Sequence, residues 1–398
     1  MHPFLATSLV LPALVVGALP SQSRQATYYV SPSGSDQGPG TLARPFRTIH
    51  RGFTELRPGD TLRIRAGTYP EALLDDVPSG SSWSAPVTIA AHQGETVTLR
   101  PSGTQFVLRL RGNHRYIAFN DFVFDATLVT DSAIYISSSK TGSPDHIRIS
   151  RSEVKNAPHM GIIVEAEAGR QAQARHEFLN LNVHDNGTTP LDHGFYIQSN
   201  YNVIQGCDIH HNAGNGIQVY KKGTASGNAS HNTVCGNKAH DNGRAKGRGV
   251  GIGLYVGDGN IAFNNLVWNN QIGIAVEIGA SNSKVLNNTI YNNNGDAGIR
   301  IGYTGPGVTT NTTIRNNIIY GNQRRDIADF GTGTVADHNL LNRTNPLFVN
   351  SKAGDFRLQS GSPAIKAGVA LREVLVDFDG VKRPRAGAYD LGACEYHK

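Results

Sequence analysis

Apolar residues alternate with polar ones in short runs, and the runs themselves recur along the chain. One segment type returns seven times: Val154-Lys155-Asn156, Val183-His184-Asp185-Asn186, Ile209-His210-His211-Asn212, Ala239-His240-Asp241-Asn242, Val267-Trp268-Asn269-Asn270, Ile290-Tyr291-Asn292-Asn293 and Ile319-Tyr320-Gly321-Asn322. The leading residues lie 29, 26, 30, 28, 23 and 29 positions apart. A second run follows each of the first six: Gly161-Ile162-Ile163-Val164-Glu165, Gly194-Phe195-Tyr196-Ile197-Gln198, Gly216-Ile217-Gln218-Val219-Tyr220, Gly251-Ile252-Gly253-Leu254-Tyr255, Gly273-Ile274-Ala275-Val276-Glu277 and Gly298-Ile299-Arg300-Ile301-Gly302. A period of two predicts strands, and a repeat of this length predicts stacked rungs. A lone rung exposes an apolar face and unpaired backbone edges, and stacking buries the first and pairs the second. The expected fold is all-β, a parallel β-helix (solenoid). A β-sandwich would not repeat residues column by column.

Details within the repeat carry further expectations. Gly at the head of each second run reads as a bend. Asn265, Asn288 and Asn317 share one register position, which predicts a ladder of side-chain amides, each donating to the next. His184, His210 and His240 align with Trp268, Tyr291 and Tyr320 and read as a structural stack rather than a metal site. Ahead of the repeats, residues 27–69 read as a strand, a Gly/Pro loop, a short helix over 49–56, a Pro-Gly turn and a strand. Residues 1–26 hold an apolar run too short to span a membrane and read as a signal peptide, so the expected location is secreted or periplasmic, with no membrane span. The organisation is then 1–26 signal peptide, 27–86 N-terminal cap and first rungs, 87–345 repeats, and 346–398 a C-terminal closing segment over the last rung's open edge.

Composition narrows the picture. With 45 glycines and 17% charged residues, the chain is not a coiled coil, a collagen or a disordered protein. The net charge of +6 favours polyanionic partners. Its basic residues are scattered without interleaved aromatics, which argues against nucleic acid. Cys207, Cys235 and Cys394 are odd in number. Cys235 aligns with Gln205, which puts it about 8 Å from Cys207 by strand rise and interstrand spacing, beyond an unstrained disulfide. No disulfide framework is expected, and the expected state is a monomer.

Candidate chemistry follows from the outward positions of the second run. One outer column reads Ile163, Tyr196, Gln218, Gly253, Ala275, Arg300, and the next reads Glu165, Gln198, Tyr220, Tyr255, Glu277. His159, Asp192, His193 and Arg248 precede these strands, and Lys221 follows Tyr220. Small residues at Gly253 and Ala275 leave room for an extended polymer. Tyr220 and Tyr255 would be sugar platforms, with Gln198, Gln218 and Arg300 as further substrate contacts. Proton abstraction at C5 of a uronic acid needs a cation for the carboxylate, a base and an acid. His193 and Tyr196 are the candidate base and acid, since a phenol beside a cation can deprotonate. Arg248 or Lys221 would neutralise the carboxylate, and Asp192 would orient His193. Return of the proton from the opposite face would give epimerisation. Two-carboxylate hydrolysis has only Asp192, Glu165 and Glu277 as candidates.

Residues 27–69, with Tyr28-Tyr29-Val30-Ser31-Pro32-Ser33-Gly34-Ser35-Asp36 and Pro58-Gly59-Asp60-Thr61-Leu62-Arg63-Ile64, resemble the N-terminal segment of secreted right-handed parallel β-helix proteins of the pectate-lyase-like superfamily. The resemblance implies a right-handed helix and carbohydrate chemistry. Polysaccharide lyases and mannuronan epimerases share this superfold, and the epimerases place an Asp-Pro-His motif near a catalytic Tyr. Here Pro190-Leu191-Asp192-His193 and Tyr196 lack the intervening Pro. Calcium-dependent pectate lyases use clustered aspartates, whereas this chain has only Asp75-Asp76 as an adjacent pair, so no cofactor is expected and a calcium site is not implied, with carboxylates meeting from different rungs as the open route to one. The expected function is a polysaccharide lyase acting on an acidic, uronate-containing polymer. A C5-epimerase, a glycoside hydrolase and a non-catalytic glycan-binding or cell-surface protein are the alternatives.

Overall fold

Each repeat supplies three strands, and each strand pairs in parallel with its counterparts on the neighbouring rungs in the computed structural model. The structure describes residues 25–397 except 141, 167–173, 222–228, 248, 304, 306 and 385–386. The signal peptide expected over 1–26 therefore lies outside the described residues apart from Gln25 and Ala26, and Arg248 lies outside them as well. Sheet one has 12 strands, from Thr27–Val30 to Val335–Asp337. Sheet two has 10, from Gly67–Tyr69 to Ile318–Tyr320, and sheet three has 10, from Leu73–Leu74 to Arg325–Asp329. Stacking already begins with Thr27–Val30 against Thr61–Ile64, well before residue 87. The helix, Ile49–Phe53, ends sooner than residue 56; Thr48 caps its start and Ile49 and Phe53 are buried.

The register follows the hydrophobic pattern. Val154, Val183, Ile209, Ala239, Val267, Ile290 and Ile319 stand directly above one another in sheet two. Ile163, Tyr196, Gln218, Gly253, Ala275 and Arg300 do the same on sheet three. The heading glycines serve a different purpose from the expected bend. A Cβ on Gly194 would stand 2.7 Å from the carbonyl oxygen of Gly216, and one on Gly216 the same distance from that of Gly251. The column is glycine because each rung presses its backbone onto the next.

Buried asparagines tie the rungs together, and more of them than the three expected. Nδ2 of Asn237 donates to Oδ1 of Asn265, and the chain of donation runs on through Asn288, Asn317 and Asn339 at 2.9–3.0 Å. A second ladder runs Asn186, Asn212, Asn242, Asn270, Asn293, Asn322. A third joins Asn202, Asn232 and Asn260. Where that column changes to Ser283 and Thr312, the shorter hydroxyls are buried without a hydrogen-bond partner among the described residues. Cys207 occupies the rung before Asn237, where its Sγ accepts from the Leu181 amide at 3.4 Å. All three cysteines are buried and free, and Cys235 pairs in register with Gln205. The imidazoles stack as well: His184 to His210 at 4.9 Å, His210 to His240 at 5.1 Å, His240 to Trp268 at 4.0 Å.

The closing segment runs back along the flank instead of only covering the last rung. Phe356 lies against Trp268 and Tyr291, while Leu371, Val374 and Tyr389 bury beside Leu286. Buried Arg383 donates to Glu395 and to the Gly392 and Ala393 carbonyls and reaches Asn264. At the last rung the inward positions below core Ile301 and Ile314 hold Asp329 and Ala336, both exposed.

Removing an amide from the middle of a ladder strands its partners. Asn270→Ala leaves the Ala239 and Trp268 carbonyls without a side-chain donor and the Asn242 amide without its acceptor. We expect it to lower stability by about 1–3 kcal/mol, measured by chemical denaturation against the wild type.

Candidate active site

A groove of about 630 Å³ opens on the outer face of sheet three, and its walls come from the column order described above. His193, Tyr196, Asn215, Gln218, Tyr220, Tyr255, Glu277 and Arg300 line it, with Met160, Val250 and Ile272 among the apolar contacts. Six of the residues selected from the sequence therefore meet: His193, Tyr196, Gln218, Tyr220, Tyr255 and Arg300. Asp192, Lys221 and Gln198 do not line it.

His193 is almost fully buried, and the backbone N–H of Asn215 donates to its Nδ1 at 3.0 Å. A neutral ring that accepts at Nδ1 carries its proton at Nε2. A Cβ on Gly214 would stand 2.5 Å from Nδ1, so glycine is what permits this close seat. His193 as it stands is a donor, not the base expected from the sequence, because its pairing at Nδ1 reverses the tautomer a base requires. Asn215, which sequence reasoning passed over, is the hub. Its Oδ1 accepts from the Val250 amide at 2.9 Å, and its Nδ2 donates to Gln218 at 2.7 Å and to the Tyr255 hydroxyl at 3.4 Å. Its signal was there to find, as the polar residue one rung along from His193 in a column that continues as Val250, Ile272 and Ala297.

Asp192 does not perform the orienting role assigned to it. Its carboxylate accepts from the Thr188 and Thr189 amides at 3.0 and 2.7 Å and lies 3.1 Å from His159 Nδ1. Burial pushes its pKa up, but these donors outweigh burial and leave it below the ordinary value. Asp192 holds the loop before His193, and its carbonyl accepts from the Gly214 amide. Lys221 turns away from the groove and donates to the Ala166 carbonyl; burial lowers its pKa, against the pull of Glu165.

Tyr196 also departs from the expectation of an easily ionised phenol. Burial foremost, then Tyr220 and Glu165, push its pKa up to about 12, and the Gln198 amide offsets only part of this. Its ring meets His193 edge-on at 5.8 Å and stacks on Tyr220 at 6.3 Å. At the far end, Arg300 Nε donates to buried Glu277 at 2.5 Å, and the guanidinium lies over Tyr303 at 4.8 Å. Glu277 is the one carboxylate among the described residues lining the groove. A calcium ion needs several oxygen ligands, and a carboxylate already bound by Arg300 does not supply them. Asp75 is likewise committed, to Arg109 and Arg111. Among the described residues, a grouping that could hold an ion, Asp377, Asp379 and His397, lies in the closing segment.

The family model for the right handed beta helix region matches residues 108–277 and 170–353. Pectate lyase PEL9 of Emericella nidulans is 37% identical over 75 residues, 19% of this chain and 18% of that protein. Uncharacterized protein YwoF of Bacillus subtilis is 29% identical over 147 residues, 35% of this chain and 30% of that protein. The chain thus spans less than a third of each curated relative. Among solved structures, pectate lyase Pel9A superposes with a TM-score of 0.68 at 17% identity, covering 94% of this chain and 97% of that one.

The loop before His193 gives a pH signature. A carboxyl held below its usual 3.8 stabilises the fold fully above that value, and the contribution is lost as pH falls through the lowered folded value. Asp192→Ala should cost about 1–3 kcal/mol at neutral pH. Denaturation curves should show the gap from wild type closing in acid below pH 3.8.

Proposed function

The chain belongs to the right-handed β-helix family, and on that frame we propose that it is a secreted polysaccharide lyase that cleaves a uronate-containing polymer by β-elimination. The observation that carries this reading is the pairing, in one groove, of a half-buried phenol with an imidazole whose Nδ1 is taken, leaving Nε2–H as its donor. The likeness to a pectate lyase over 75 residues supports the same class.

In the proposed reaction, the His193 Nε2–H donates to the uronate carboxylate and stabilises the charge that develops there. Ionised Tyr196 takes the C5 proton. The C5–H electrons form the C4–C5 double bond, the C4–O bond to the neighbouring sugar breaks, and Tyr196 returns the proton to the departing oxygen. The phenol is regenerated as phenolate and the balance closes without a second carboxylate. Two-carboxylate hydrolysis finds less support, because Glu277 is bound to Arg300 and no second described carboxylate lines the groove. Half-buried Tyr220 offers a ring face for a flanking sugar, whereas Tyr255 is buried against Val250, Ile272 and Ala275 and shapes the floor.

Ultraviolet absorbance of the unsaturated uronate product tests the reading, on alginate, pectate, glucuronan and glycosaminoglycans, with and without a chelator. Tyr196→Phe should lower the rate about 10²–10⁴-fold and His193→Ala about 10²–10³-fold. The wild-type rate should climb with pH toward the phenol's value of about 12, because the base form is the minor form below it. Absorbance that survives both variants would move the site. Proton exchange at C5 without absorbance would turn the reading to epimerisation.

A further inference from the structure

Tyr196 and Arg300 sit in one outer column, separated by Gln218, Gly253 and Ala275. Four interstrand steps place their backbones about 19 Å apart. That is too far for Arg300 to touch the sugar that meets His193 and Tyr196, yet both ends line one groove. Gly253 and Ala275 do not leave the open space expected from the sequence: the Tyr255 ring lies over Gly253 and Ala275 is fully buried, so the floor between the two ends is formed by Tyr255, Ile272 and Ile278.

Arg300 is built to present a fixed edge. Glu277, with 1% of its surface exposed, accepts from Nε, and Tyr303 supports the guanidinium face. Among the described residues the two terminal nitrogens make no hydrogen bond. A guanidinium held at Nε and on one face can still offer a two-pronged edge to a planar carboxylate. The pair is neutral as a unit, so it acts through directed hydrogen bonds at close range more than through long-range attraction.

We infer that Arg300, positioned by Glu277, forms a distal subsite that binds the carboxylate of a uronic acid several sugars away from the bond proposed to break at Tyr196. This rests on the lyase reading for the bond-breaking end, but the binding claim stands apart from it. The consequence is a length requirement: an oligouronide must span the floor to gain the contact.

The test compares kcat/KM on oligouronides of three and six sugars, and calorimetric binding of the six-sugar oligomer to wild type, Arg300→Gln, Arg300→Lys, Glu277→Gln and Glu277→Leu. Wild type should prefer the longer oligomer. Arg300→Gln should cut that preference about 10- to 100-fold, as loss of a charge-assisted hydrogen-bond pair implies, through KM with kcat held. Arg300→Lys keeps the charge and loses the fork, so it should not rescue. Glu277→Gln keeps an acceptor for Nε and should retain most of the preference, whereas Glu277→Leu should not. Arg315→Gln, at a surface ion pair on sheet one, should leave all values unchanged. An unaltered length preference in folded Arg300→Gln overturns the subsite, as does an equal loss on carboxyl-reduced oligomers, which would mean hydroxyl recognition. Should wild type cleave no uronate polymer, the lyase reading fails. Calorimetry then decides the subsite alone: Arg300-dependent binding upholds it, and equal or absent binding in wild type and Arg300→Gln overturns it.

Discussion

The hydrogen bond from one rung to the next is the constraint on which the molecule depends. No rung contains partners for its own backbone amides and carbonyls, so a rung exists only because its neighbours accept and donate. Close approach is the condition for that exchange, and the glycines heading sheet three show what it demands: a single added carbon would strike the next rung's carbonyl. The asparagine ladders meet the same demand at the corners, where the chain leaves one sheet for another and strand pairing lapses. Each ladder amide bonds both the side chain and the backbone of its neighbours, which turns a potentially costly buried polar group into a connector.

The groove inherits its geometry from the same stacking. Asn215 resembles a ladder residue displaced onto sheet three. Its main chain fixes the His193 ring, while its side chain binds Val250, Gln218 and Tyr255 on neighbouring elements. Groups contributed by rungs 22 to 40 residues apart in sequence are thereby held to hydrogen-bond precision. The two ends of the groove differ in electrical character. The His193 imidazole and the Tyr196 phenol occupy one end, and the Arg300–Glu277 ion pair occupies the other. Repetition supplies the platform, and each departure from it supplies a function.

Much of this architecture was legible in the alternation and spacing of residues, since in a solenoid sequence neighbours one repeat apart are neighbours in space. The columns from Ile163 to Arg300 and from Val154 to Ile319 stand as the repeat implies. Sheet one was less visible: its strands, such as Val203–Gln205 and Thr233–Cys235, carry no heading glycine. Site chemistry was harder to read. Sequence proximity suggested that Asp192 serves His193, but a side chain's partner is set by loop direction, and the loop turns the carboxylate onto Thr188 and Thr189. Nor could a residue pattern reveal that burial would hold the Tyr196 phenol protonated, because desolvation comes from the assembled walls.

The last rung has a consequence for the molecule in a crowd. A stack of identical edges is a template without a natural length, since any end that bonds its own chain's next rung can also bond another chain's. Here the inward site below Ile301 carries Asp329 and the one below Ile314 carries a small Ala336, while Ile327 keeps its place below Ile299. A second helix arriving end-on would have to bury that carboxylate. The chain thereby makes its length a property of the single molecule rather than of its concentration: growth into fibres is discouraged by the same inside-facing positions that, one turn earlier, build the core.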